Sequence, residues 1–185
     1  MRIAELKIND GWLQNVTRVE SPHFDQRPDN CEINLLVVHN ISLPPGEFGG
    51  GYVQPFFQGK LPTSVHPFFE EIARLRVSAH CLIERDGTIT QFVSFNDRAW
   101  HAGFSTFQGT SRCNDFSIGI ELEGTDSHIY TDLQYQSLMD LTKSLMQQYP
   151  KMTLGRIVGH NDIAPGRKTD PGESFDWCRF RTGIS

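Results

Sequence analysis

The chain has 185 residues, 38% of them hydrophobic and 21% charged, with a net charge of −5 at pH 7. This length fits one domain with a buried core of its own. The acidic balance excludes the basic stripe that marks a nucleic-acid binder, and no apolar run approaches the length of a membrane span.

The first residues, MRIAELKI, carry no apolar signal region and no small-residue cleavage site, so a cytoplasmic location is expected. The four cysteines, Cys31, Cys81, Cys113 and Cys178, show no C-x-x-C spacing. Reduced thiols are expected in a leaderless chain of this size. Residues 1–33 are polar and irregular, with Pro22 and Pro28, and are expected to wrap a domain formed by residues 34–185.

Residues 34–41 form a short continuous apolar run, the pattern of a strand buried on both faces. Leu35, Val37 and His39 share one face, so a histidine stands at the end of a core strand. Residues 42–65 read as a long loop with Pro44, Pro45 and three consecutive glycines. Loops of this length inside a compact domain are commonly functional, and a lid or pocket wall is expected. Phe68, Phe69, Ile72 and Leu75 have helical spacing over residues 67–75. Residues 79–93 read as a hairpin turned by Asp86 and Gly87, a dipeptide that favours the type I′ turn. Residues 96–109 are irregular around Trp100 and His101.

Residues 116–123 alternate cleanly. Phe116, Ile118, Ile120 and Leu122 face one way; Gly119, Glu121 and Glu123 face the other, with Gly119 leaving room for something to come close. Thr131 and Gln134 spell a capping box, and an amphipathic run follows until Pro150. A last strand over residues 156–159 delivers His160. Ser174 is placed to cap a short terminal helix. The whole predicts an α/β (α+β type) single domain, a central mixed sheet flanked by helices.

Residues 158–176, VGHNDIAPGRKTDPGESFD, close the argument. Pro165, Gly166, Pro171 and Gly172 break regular structure after His160. An extended backbone over residues 168–170 puts Lys168 and Asp170 on one side. A catalytic zinc site takes three protein ligands and keeps one position open. His39, His160 and Asp170 are candidates for that set. Glu121 is a candidate general base, although Glu123 shares its face, and Lys168 a candidate oxyanion partner. By spacing alone this remains a loose constellation.

The runs LLVVHNISLPPGEFGG, RVSAHCLIERDGTITQFV, RAWHAGFSTFQG, RCNDFSIGIELEGTD and GHNDIAPGRKTDPGESFDW resemble the AmpD family of zinc amidases, from about Gly11 to Arg181. The resemblance implies the fold of the phage T7-type amidases and peptidoglycan recognition proteins. It implies hydrolysis of the amide between the lactyl group of 1,6-anhydro-N-acetylmuramic acid and L-alanine, in cell-wall recycling. It places Zn²⁺ on His39, His160 and Asp170, and catalysis on Glu121 and Lys168. Substrate contacts fall on Asn40, Arg76, Trp100 and Arg167. His80 and His101 are left as a strand residue and an outer neighbour of the site. The implied partner is an anhydromuropeptide, with no nucleic acid, membrane or obligate protein partner. The rival readings are a peptidoglycan-binding module that does not cut, and an amidase of intact wall.

Overall fold

The computed structural model describes residues 6–185, so residues 1–5 of the expected wrapping segment lie outside the described residues. Four short strands come first: β1 (Ile8–Asn9), β2 (Trp12–Leu13), β3 (Thr17–Arg18) and β4 (Phe24–Gln26). Then come β5 (Leu35–Ile41), helices α1 (Val53–Phe57) and α2 (Pro67–Ile72), β6 (Cys81–Ile83), β7 (Ile89–Gln91) and β8 (Asp97–Ala99). The short strands β9 (Thr106–Phe107) and β10 (Thr110–Ser111) precede β11 (Ser117–Glu123). Helix α3 (Asp132–Gln148), β12 (Ile157–Gly159), α4 (His160–Ile163) and α5 (Trp177–Ile184) complete the chain.

The central sheet has six strands in the order β12-β5-β11-β6-β7-β3. Strands β12, β5, β11 and β6 are mutually parallel, and β7 runs antiparallel to β6. This is the mixed sheet that the alternating runs predict. One face is covered by α3 and α5. Ile118, Ile120 and Leu122 of β11 meet Leu138, Leu141 and Leu145 of α3 and Phe180 of α5 in one buried cluster. Spacings of three and four residues put those α3 side chains on one stripe. The capping box forms as expected: the Gln134 N–H donates to Thr131 Oγ1, and the Thr131 N–H donates to Gln134 Oε1.

The other face is built differently. A second cluster joins Leu43, Phe56, Phe57 and Leu61 to Phe69, Leu82 and Phe92. Residues 42–65 are therefore not an open loop: they contain α1 and contribute core. The sequence hides this because α1 is a single short turn with Pro55 inside it, too brief to show a period.

Other expectations need correction. Residues 6–33 are not a plain wrap, since β3 pairs with β7 at the sheet margin. The Arg27 guanidinium is inserted beneath the sheet, donating to the carbonyls of Phe95, Asn114, Asp115 and Ser117. The β6–β7 connection is not a type I′ turn. The Gly87 N–H donates to the Glu84 carbonyl, and Gly87 alone has a positive φ, of 84°. That is a type I turn followed by a left-handed glycine. Helix α2 stops at Ile72, short of Leu75. Asp176, not Ser174, caps α5 through the Arg179 N–H; the Ser174 hydroxyl donates to the carbonyls of Thr125 and His128.

Candidate metal centre

Parallel strands collect their loops at one edge of the sheet, and sites form at the carboxyl ends. Here His39 lies near the end of β5, Glu121 near the end of β11, and His160 directly after β12. Glu121 and His39 are register partners, so they share a face. His160 is not followed by irregular chain at once: it opens the single turn α4. The loop then returns, and the Asn161 N–H donates to the Asp170 carbonyl. Tyr130 Oη and Asn40 Nδ2 both donate to the Pro171 carbonyl, at 2.7 and 3.2 Å, fastening the loop to the sheet.

Three atoms meet at one point. His39 Nδ1 lies 3.0 Å from His160 Nδ1 and 3.1 Å from Asp170 Oδ2; His160 Nδ1 lies 3.0 Å from that same oxygen. On the far side of His160, Nε2 stands 3.1 Å from the Ala102 carbonyl. A carbonyl only accepts, so an N–H at Nε2 donates there, which leaves Nδ1 as the ring nitrogen turned inward with a lone pair. Burial pushes the His39 imidazole down to about 4, which favours its uncharged ring. Two lone pairs and a carboxylate oxygen thus crowd together, an arrangement that a cation relieves. Tetrahedral zinc with ligands at 2.0–2.1 Å needs neighbouring ligand atoms about 3.3 Å apart, close to the spacing found. The donor set fits zinc, and among the described residues these three form the group able to hold a metal.

The surrounding charges are set by burial. Burial raises the Glu121 carboxyl well above its ordinary value, the Asp170 charge adds to this, and Lys168 opposes it. Glu121 Oε2 is buried without a hydrogen-bond partner, which is rare in folded proteins and calls for a reason.

The site opens on a cleft of about 750 Å³, within the range of small-molecule sites. His39, His160, Asp170, Glu121 and Lys168 all line it. So do Asn40, Trp100 and Arg167, whereas Arg76 lies exposed between two lining residues, Leu75 and Val77. Several of these groups also hold the structure together. Asn40 Nδ2 donates to Asp126 Oδ1 at 2.8 Å. Trp100 Nε1 donates to Asp25, whose carboxylate is forked by Arg98. Arg167 Nη2 donates to the carbonyls of Ala102 and Phe104. Pro45, Gly46, Phe56 and Phe57 supply the wall expected from residues 42–65.

Glu123, which the alternation cannot separate from Glu121, is absent from the cleft wall. Its carboxylate accepts from the Gly49 N–H at 2.6 Å and the Arg85 N–H at 3.2 Å. Gly119 also has a definite neighbour. A Cβ there would collide with the ring of His101, so the room beside Glu121 is taken by an imidazole.

The fold and this site define an N-acetylmuramoyl-L-alanine amidase. The family model of that description matches residues 29–173, and the chain belongs to the family. Within it the chain groups with the AmpD amidases. It is 60% identical over 177 residues to the 1,6-anhydro-N-acetylmuramyl-L-alanine amidase AmpD of Haemophilus influenzae, covering 96% of each chain. A crystal structure of a selenomethionine derivative of AmpD superposes with a TM-score of 0.94 at 58% identity, covering 97% of this chain and 100% of that one. The complex of Escherichia coli AmiD with anhydro-N-acetylmuramic acid-L-Ala-D-gamma-Glu-L-Lys is more distant. It has 27% identity and a TM-score of 0.61, covering 97% of this chain and 65% of that one.

Proposed function

We propose that the chain is a zinc-dependent amidase that cuts the bond between the lactyl group of 1,6-anhydro-N-acetylmuramic acid and L-alanine in small anhydromuropeptides. We assign it to the cytoplasm and to cell-wall recycling. The observation that carries the reading is the convergence of His39 Nδ1, His160 Nδ1 and Asp170 Oδ2 beside an unpartnered Glu121 oxygen.

In this reading His39, His160 and Asp170 hold Zn²⁺. When bound, the ion would supply Lewis-acid polarisation of the scissile carbonyl and would lower the pKa of a water. Glu121 takes the proton of the attacking water at Oε2 and hands a proton to the departing alanine nitrogen. A carboxyl raised above its ordinary value is a stronger base toward water and can still return the proton. Lys168 faces the negative charge that develops on the carbonyl oxygen. Asn40, Trp100 and Arg167 contact substrate from the cleft wall, and Arg76 reaches it from the rim. Trp100 offers a flat apolar face to a sugar, and an arginine suits the stem-peptide carboxylates.

The test compares turnover of an anhydromuropeptide, its non-anhydro counterpart and whole sacculi by the same enzyme. The anhydro compound should be the preferred substrate. Equal or better cleavage of sacculi would overturn the substrate assignment, and binding without cleavage would favour a recognition module.

A further inference from the structure

A ligating imidazole is aimed by whatever its second nitrogen touches. Both histidines of the site rest on the same two consecutive residues. His39 Nε2 lies 2.8 Å from His101 Nδ1. His160 Nε2 lies 3.1 Å from the Ala102 carbonyl. This pair of residues is itself suspended from one atom: the N–H groups of His101 and Ala102 both donate to Asn114 Oδ1, at 3.1 and 2.8 Å.

The proton order along this path is determined. His39 presents Nδ1 to the site, so its proton sits on Nε2 and is donated to His101. His101 must then accept at Nδ1 and carry its own proton on Nε2, which stands 3.1 Å from Ser117 Oγ. The ring reaches that position only because residue 119 has no side chain. His101 is thereby in direct contact with His39, and Gly119 gives it the room it occupies.

We propose that His101 and Ala102, hung from Asn114, form a single positioning bracket that sets the tautomer and aim of both histidine ligands. His101 and Asn114 are positioning residues of the metal centre. This rests on the assignment of zinc to His39, His160 and Asp170.

The test uses substitutions that keep or remove one acceptor. Asparagine places Oδ1 where histidine has Nδ1, so His101→Asn keeps an acceptor for His39, whereas His101→Leu removes it. Likewise Asn114→Asp keeps an oxygen for both N–H groups and Asn114→Ala does not. Zinc affinity is read by competition with a chromophoric chelator, and ligand geometry by the visible spectrum of the Co²⁺-substituted protein. His101→Leu and Asn114→Ala should weaken zinc binding by about 10- to 100-fold and alter the Co²⁺ spectrum. His101→Asn and Asn114→Asp should stay near the parent in both. Equal behaviour of the two members of each pair, whether both retain or both lose zinc, overturns the proposal. If His101→Leu does not fold, the Asn114 pair decides by the same rule. The parent and Asp170→Ala are measured alongside. A parent that binds no zinc overturns the ligand assignment itself, whereas a parent that binds it with all four variants unchanged overturns only the bracket.

Discussion

Glu121 and His39 face each other across two parallel strands in direct register, and both side chains project into one cleft. Glu123 stands two residues further along the same strand and is fully committed to the N–H groups of Gly49 and Arg85. Two glutamates of one pattern therefore have different surroundings. Glu121→Gln should lower kcat by roughly 10²–10⁴-fold, the usual worth of a general base, and leave zinc content at one per chain. Glu123→Gln should keep zinc and most of kcat but lower thermal stability, because it weakens an anchor rather than the chemistry. The outcomes reversed would exchange the two roles. Metal analysis, steady-state kinetics and thermal melts on the two variants are sufficient.

Lys168 lies on the cleft wall, two residues from Asp170. Lys168→Ala should cost roughly 10²–10³-fold in kcat, the scale of a lost oxyanion partner, with zinc affinity close to the parent. Loss of zinc in this variant would mean that Lys168 supports the ligand loop instead.

Removing a ligand should act on folding as well as on activity. Zinc bound to the native state alone raises stability in proportion to the logarithm of its concentration over its Kd. The parent should melt at a lower temperature after chelation and recover when zinc is returned. Asp170→Ala should be nearly inactive and insensitive to both treatments in the micromolar range. A chelated parent with full activity would remove zinc from the mechanism.

The metal-free protein should lose stability in mild acid. Burial holds His80 at about 3, His39 at about 4, and His101 well below the ordinary 6.5. Below pH 6.5 the unfolded chain takes up these three protons while the native state does not, so stability falls with pH toward the native values. Glu121 acts in the opposite sense. Its raised native value means that the folded state takes up a proton first as pH falls toward 4.5. Three groups against one leave a net uptake of more than one proton on unfolding between about pH 6 and 5. Denaturant titrations of metal-free protein at half-unit pH steps should show this slope. A flat profile would place at least two of these rings in contact with water.

Much of the fold is legible in the sequence. The strand over residues 35–41 announces itself by an unbroken apolar run. The one over residues 117–123 does so by alternation, and the main helix by its capping box, all local patterns. From spacing alone the site residues are a scatter of candidate types, since residues 39, 121, 160, 168 and 170 are brought together by tertiary structure, which local patterns do not encode; the family resemblance is what gives each of them an expected role. What stayed hidden depends on remote backbone. Glu121 and Glu123 differ because the N–H groups of Gly49 and Arg85 arrive beside one of them. The Ala102 carbonyl orients His160, and a carbonyl has no sequence signature at all. Strands of two residues, such as β3, are too short to show any period.

The margins of the central sheet have a consequence of their own. Its outer strands, β12 and β3, are three and two residues long. Beside β12, Arg181 Nη2 donates to the Ile157 carbonyl and Arg156 Nε to the Asn34 carbonyl. Long bare outer strands invite a second chain to extend the ladder, the route to strand exchange and fibrils. This sheet gives an arriving chain almost nothing to copy. The long strands, β5 and β11, are both interior. The two strands that carry His39 and Glu121 are thus paired on both sides and leave no ladder free for another chain.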